Sequence, residues 1–284
     1  MTRTAVVTDS TCDVPAATLA AQDIAMVPLS VFFGDDEYRD GLDLEPQAFY
    51  DLLRRRSEAP TTSQPSPGAF LQVYQRLQAE GYEEVLSLHI SSRLSGTVQA
   101  AAAAARMLSG LKVTVIDSRT TTWALGMMVL YARQLLSEGL STGETAERLR
   151  ALIPLTRIYF SVDSLTGLRR GGRIGRAAAW VGGALGVRPL LKLAGGSGEV
   201  DVETMSVSHD AMTRRLVETV LRRAAAVAPA YGVCVLSGDK EDWQRELTAG
   251  LRARGFNPPR LLTGVIGSVI GSHLGDSGAG IVLV

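Results

Sequence analysis

Five short clusters of hydroxyl, acidic and glycine residues mark where this chain could do chemistry. They are Thr8–Asp13 (TDSTCD), Thr61–Ser66 (TTSQPS), Ser91–Thr97 (SSRLSGT), Leu168–Gly175 (LRRGGRIG) and Gly271–Gly278 (GSHLGDSG). Hydroxyls donate hydrogen bonds to a carboxylate or phosphate, and glycines let backbone N–H groups come close to one. Ser95-Gly96-Thr97 reads as the opening of a helix, which sets Ser95 beside N–H groups at the positive end of the helix dipole. Thr62 and Ser63 lie among Pro60, Pro65 and Pro67, whose fixed backbone would hold the two hydroxyls in place. Arg173 adds a guanidinium on a Gly-rich turn, and His273 lies among glycines beyond an apolar run. Asp9 and Ser10 follow the first apolar run in a supporting place, as Gly96 and Thr97 do beside Ser95.

Each cluster also has a plainer reading. Ser, Thr and Asp after a strand cap the next helix, and a Gly pair ends one. A different chemistry is open as well. Ser95 or Thr62 with His273 as base and Asp276 as orienting group would outline a Ser/Thr–His–Asp hydrolase or transferase. Other familiar sites are missing from the sequence: no GxGxxG lies between a strand and a helix, and neither GxxxxGK[ST] nor HExxH occurs. The GDSG at Gly275–Gly278 matches a protease nucleophile loop, but that loop belongs to twin β-barrels, and this chain alternates strands with helices.

Bulk properties narrow the field further. The formal net charge is +0, with no long basic run of the kind that captures nucleic acid or an anionic membrane. Cys12 and Cys234 stand far apart without a CxxC, which gives neither a metal framework nor a disulfide scaffold and fits a reducing cytoplasm. No stretch approaches 18 consecutive apolar residues, and the first ten residues lack the pattern of a signal peptide. The expectation is a cytoplasmic protein with no transmembrane segment, no metal and no cofactor.

The elements that must position these clusters follow from periodicity. Apolar runs at Thr4–Ser10, Ile24–Phe33, Glu84–Ser91 and Lys112–Ser118 alternate with helical patterns, the pattern of a parallel sheet covered on both faces. On this reading Thr61–Ser66 is a plain connection between two helices. Two further helical patterns, Thr121–Gly139 and Thr142–Pro154, close this half. Beyond Pro154 the sequence predicts a strand at Arg157–Asp163, a Gly/Ala-rich helical region to Gly186 and a hairpin over Arg188–Ser208. A basic amphipathic helix and three more strands follow. The 284 residues therefore divide into two α/β domains, 1–153 with a parallel sheet and 154–284 with a mixed one, and a ligand cleft between them.

In this order the clusters resemble the motifs of the DegV family of bacterial fatty-acid-binding proteins. VTDSTCDVP is similar to its opening strand and turn, and TTSQPSPGAF, HISSRLSGT, VIDS and LRRGGRIG to its successive internal motifs. VIGSHLGDSGAGIVLV is similar to its C-terminal segment. The resemblance implies two α/β domains with a long-chain fatty acid between them, the carboxylate held by Thr62, Ser63, Ser95 and His273. Arg173 would serve phosphoryl transfer or the electrostatics of the cleft. It implies a lipid-binding subunit without turnover of its own, which presents the acid to a separate ATP-binding fatty acid kinase subunit. The acyl-phosphate formed there enters phospholipid synthesis. A paralogue that keeps the fold and takes another acidic small molecule is the remaining alternative. The Ala/Gly-rich Arg176–Gly186 offers small side chains where an acyl tail could thread. Two positions depart from the family pattern: Asp276-Ser277 stand between Gly275 and Gly278, and the second hairpin strand lacks arginine.

Overall fold

The computed structural model describes residues 3–180 and 187–284. The chain opens with β1 (Thr4–Asp9), α1 (Ala16–Ala21) and β2 (Ile24–Val27), followed by β3 (Ser30–Phe33), β4 (Asp36–Arg39), α2 (Pro46–Arg55) and β5 (Thr61–Ser63). Next come α3 (Pro67–Ala79), β6 (Glu84–His89), α4 (Thr97–Arg106), β7 (Lys112–Asp117), α5 (Thr122–Ser137) and α6 (Thr142–Leu152). The strands of this half form two sheets. One is parallel, in the order β2-β1-β6-β7, and the other is a small antiparallel sheet, β4-β3-β5. The run Ile24–Phe33 is therefore not one strand. Pro28 cannot continue the ladder, and the chain leaves the parallel sheet for the small one.

The second half contains β8 (Arg157–Ser161), α7 (Thr166–Arg170), β9 (Arg188–Ala194), β10 (Val200–Ser206), α8 (His209–Ala226) and β11 (Val233–Ser237). It ends with α9 (Glu241–Arg252), β12 (Leu261–Val265), α10 (Ser268–Leu274) and β13 (Ala279–Leu283). Its six strands form one mixed sheet, β10-β9-β8-β13-β11-β12, with β9 and β10 as the expected antiparallel hairpin. The Gly/Ala-rich region is only partly helical: α7 is five residues long and Gly175–Trp180 is a 3-10 turn. The part of the expected tail-threading segment at 181–186 lies outside the described residues.

Side-chain alternation builds the layers. In β1, Ala5 and Val7 face α3 and α4, whereas Val6 faces α5. In the mixed sheet, Tyr159, Val235 and Ile281 pack under α8 and α9, while Ile158, Phe160, Leu236 and Val282 face inward. The inward residues of both sheets join one hydrophobic cluster through Leu125, Met127, Met128 and Val129 of α5. Helix α5 is thus a shared middle layer between the two sheets. Helix α10, from the second half, crosses to the small sheet, where Val269 is buried with Leu29, Val31 and Phe49.

Candidate functional site

A cavity opens where the inner face of the mixed sheet meets the C-terminal ends of the parallel strands. Its walls are chiefly apolar: Ile158, Phe160, Leu193 and Leu236 from the mixed sheet, Ile90 and Leu94 after β6, and Val269 and Ile270 from α10. The polar side chains along it are Thr62, Ser63, Gln64, Ser95, Thr121, Thr122, Arg173 and His273. Five candidates from four separate stretches of the sequence, Thr62, Ser63, Ser95, Arg173 and His273, thus line one cavity. Thr121 and Thr122 escaped the sequence reading, because a Thr run before a helix looks like a cap.

The stretch Thr61–Ser63 is a strand and not a plain connection. As β5 it pairs antiparallel with β3, Thr62 opposite Val31 and Ser63 opposite Ser30. Ladder hydrogen bonds, more than the prolines, fix its hydroxyls. Pro67 and Ser66 instead start the next helix. Ser66 Oγ accepts from Ala69 N (3.2 Å) and caps α3, with Pro67 in its first turn. Beyond β5, Gln64 lies so close over Gly96 that a Cβ there would overlap its amide, which docks this segment on the start of α4. Ser95 Oγ is 2.9 Å from Thr97 Oγ1, and no side chain caps α4.

His273 reaches the cavity from the last turn of α10, and its Nε2 is 3.2 Å from Thr62 Oγ1. Burial first, then the charges of Arg173 and Arg170, push its pKa down from 6.5 to about 4. The ring is therefore neutral near pH 7 and carries one donor and one acceptor nitrogen. Helices α7 and α10 approach closely, because a Cβ at Gly171 would overlap the His273 ring. Arg173 ties the halves together, its Nε donating to Leu94 O (3.0 Å) and its Nη1 to Gly171 O. Among the described residues no Asp or Glu oxygen lies within 4.0 Å of the His273 ring. Asp276 and Ser277 instead fasten neighbouring turns: Asp276 O accepts from Asp239 N (3.1 Å), and Ser277 Oγ accepts from Asp163 N (3.1 Å).

The supporting candidates stand behind the cavity wall. Asp9 is fully buried and accepts from Thr11 N (3.1 Å), Thr11 Oγ1, Ile90 N (3.0 Å) and His89 Nδ1 (3.0 Å). The chain of contacts runs on from His89 Nε2 to Ser87 Oγ (2.7 Å) and from there to Tyr74 OH (2.8 Å). Ser10 Oγ accepts from Leu29 N (3.0 Å), and Thr97 is buried at the start of α4. Because β1 and β6 flank the switch point of the parallel sheet, the Asp9–His89 pair fills the crevice where such sheets commonly bind ligands. Among the described residues no group of three or more His, Cys, Asp or Glu residues is placed to hold a metal ion. No helix among them is long and apolar enough to cross a membrane.

Fold and cavity together define a two-domain α/β protein with an apolar chamber and a hydroxyl-bearing wall. The chain belongs to the DegV family: the model of that family, whose description is an uncharacterised protein, matches residues 3–284. A DegV domain-containing protein of Deinococcus radiodurans is 44% identical over 192 residues, 68% of each chain. A DegV family protein from Thermus thermophilus, described for its fatty acid binding, superposes with a TM-score of 0.90 at 35% identity, covering 99% of this chain and 98% of that one. DegV from Bacillus subtilis, a fatty acid binding protein, superposes with a TM-score of 0.89 at 31% identity, covering 99% of both chains.

Proposed function

We propose that this protein binds a long-chain fatty acid between two domains, residues 1–153 and 154–284, with no further cofactor. One observation carries the reading: Thr62, Ser63, Ser95 and His273 line a chamber whose walls are chiefly apolar. A fatty acid asks for that combination. Each buried methylene contributes ~0.8 kcal/mol, so a tail of about fourteen contributes at most ~11 kcal/mol before entropic costs. A carboxylate is expensive to bury unpaired, and the hydroxyls of Thr62, Ser63 and Ser95 with the neutral His273 ring supply its hydrogen bonds. Donors held by a strand and a helix start lose little freedom on binding.

The same reading makes the chain a lipid-binding subunit in the cytoplasm with no turnover of its own. It presents the carboxylate to an ATP-binding kinase subunit, and the acyl-phosphate that leaves feeds phospholipid synthesis. Arg173 at the chamber wall would steady phosphoryl charge. The hydrolase alternative has less support, because the His273 ring lacks a neighbouring carboxylate to orient it. The test is native mass spectrometry of the purified protein, followed by organic extraction. A stoichiometric long-chain fatty acid is the expected result, and an empty protein, or one loaded with a polar metabolite, would refute it. For the kinase role, acyl-phosphate must form only when the ATP-binding subunit is added, and formation without it would make this chain an enzyme.

A further inference from the structure

Ser91 opens the cluster SSRLSGT, yet it stands behind the chamber wall and is fully buried. Every polar atom it has is committed. Its N donates to Thr120 O (2.8 Å), and its carbonyl oxygen accepts from Leu94 N (2.9 Å) and Ser95 N (3.1 Å). Its Oγ accepts from Arg93 N (3.2 Å) and donates to Gly198 O (2.8 Å). The bonds from Arg93, Leu94 and Ser95 close a tight turn that ends on Ser95, a residue of the chamber wall. The bond to Gly198 leaves that turn for the second half of the molecule, 107 residues further on.

Gly198 lies in the turn, residues 195–199, that joins β9 to β10, and Leu193 and Val200 of those strands line the chamber. The tip of this hairpin fits closely on the Ser91 turn. Gly198 is at φ 69, and a Cβ there would overlap the Ser91 hydroxyl. Glu199 faces Arg93 at 3.5 Å, and Arg173 Nε reaches Leu94 O (3.0 Å) on the same turn. At the other end of the tip, a Cβ at Gly195 would overlap Ile153 O. The Arg93–Glu199 pair is partly exposed and therefore weak in water. The Ser91–Gly198 bond is buried, where losing one partner leaves the other unpaired, so it holds tip and turn in one register.

We infer that Ser91 is a positioning residue for the carboxylate donor Ser95: through the Ser91 hydroxyl, the hairpin of the second half sets where that donor stands in the chamber. The inference rests on the fatty-acid reading and deepens it, because a donor of one half then depends on the other half for its place. The test is a double-mutant cycle. Hexadecanoic acid is titrated calorimetrically into the full-length protein stripped of lipid, as wild type, Ser91→Ala, Ser95→Ala and the double variant. Ser91→Ala is expected to weaken binding roughly threefold to tenfold, and Ser95→Ala about tenfold. In the Ser95→Ala background the Ser91→Ala loss disappears, because the group that Ser91 positions is gone. A serine that only stabilises the fold would cost the same factor in both backgrounds, and that result overturns the inference. So does a Ser91→Ala protein that binds as tightly as the wild type. Gly198→Ala presses on the same bond from the hairpin side and must couple to Ser95→Ala in the same way. Additivity there overturns the inference even if the Ser91 variant fails to fold. Wild-type binding without either coupling refutes this role of Ser91 alone, whereas no binding of the acid by the wild type refutes the fatty-acid reading with it.

Discussion

Two histidines in this protein sit in opposite surroundings. His89 is fully buried with a partner on each ring nitrogen, Asp9 on one side and Ser87 on the other, and the contacts run on to Tyr74 without a gap. Among the described residues His273 has one side-chain partner, Thr62, and it faces a chamber. A polar network whose hydrogen-bonding capacity is used up internally stabilises and specifies the fold, but it has nothing to offer a ligand. One with capacity left over is where a ligand belongs. The Asp9–His89 network occupies the switch-point crevice, so the chamber opens instead against the mixed sheet.

The sharpest way to break this contrast is Asp9→Ala. It strands His89, Ile90 N and Thr11 in the interior, and a loss of about 3–5 kcal/mol is expected in denaturant unfolding. A loss below about 1 kcal/mol would mean that the network is not structural. Titration gives the next largest effect. His273 has a folded pKa of about 4 against 6.5 when unfolded, so the unfolded chain takes up its proton first as pH falls. Its contribution is complete above about pH 6.5 and is lost on the way to about pH 4. The stability gap between wild type and His273→Gln should therefore shift against the wild type by on the order of 3 kcal/mol across that window. Equal denaturation midpoint differences at pH 7 and pH 4 would show that the ring is not desolvated.

Thr62→Val paired with Ser95→Ala tests the open side of the comparison. Fatty acid affinity should fall by about one to two orders of magnitude, while unfolding stability moves by less than about 1 kcal/mol. A large stability loss with intact affinity would exchange the roles assigned to the two histidine regions. The smallest expected effect is that of Gly171→Ala, whose new methyl meets the His273 ring. Displacing the ring should weaken fatty acid binding by roughly threefold to tenfold, with about 1–2 kcal/mol lost in folding. Unchanged affinity would show that the ring position does not matter to the ligand.

Much of this is legible in the residues. The alternation of apolar runs with helical patterns gives the parallel sheet, and Gly195–Glu199 gives the β9–β10 hairpin, because both are local signals. The clusters TTSQPS, SSRLSGT, LRRGGRIG and GSHLGDSG each contribute at least one residue to the same chamber, and their grouping of hydroxyl, charged and glycine residues is the cue. What escapes depends on pairing at a distance. Thr61–Ser63 is too short and too polar to signal a strand, and it becomes one only because β3 supplies a partner. Asp9 is legible as a strand-end carboxylate, but its commitment to His89, 80 residues away, is not. Thr121 looks like any hydroxyl before a helix, and only its burial without a partner distinguishes it.

The placement of α5 has a mechanical consequence. Its Leu125, Met127, Met128 and Val129 belong to one cluster with Val6 and Leu86 of the parallel sheet and with Phe160 and Val282 of the mixed sheet. Parting the two halves would expose that cluster to water, at a cost close to that of unfolding the molecule. The halves therefore behave as one cooperative unit, and the slowest amide protons of both sheets and of α5 should exchange together. Any opening of the chamber is then expected by local rearrangement at its rim, over a base that stays rigid.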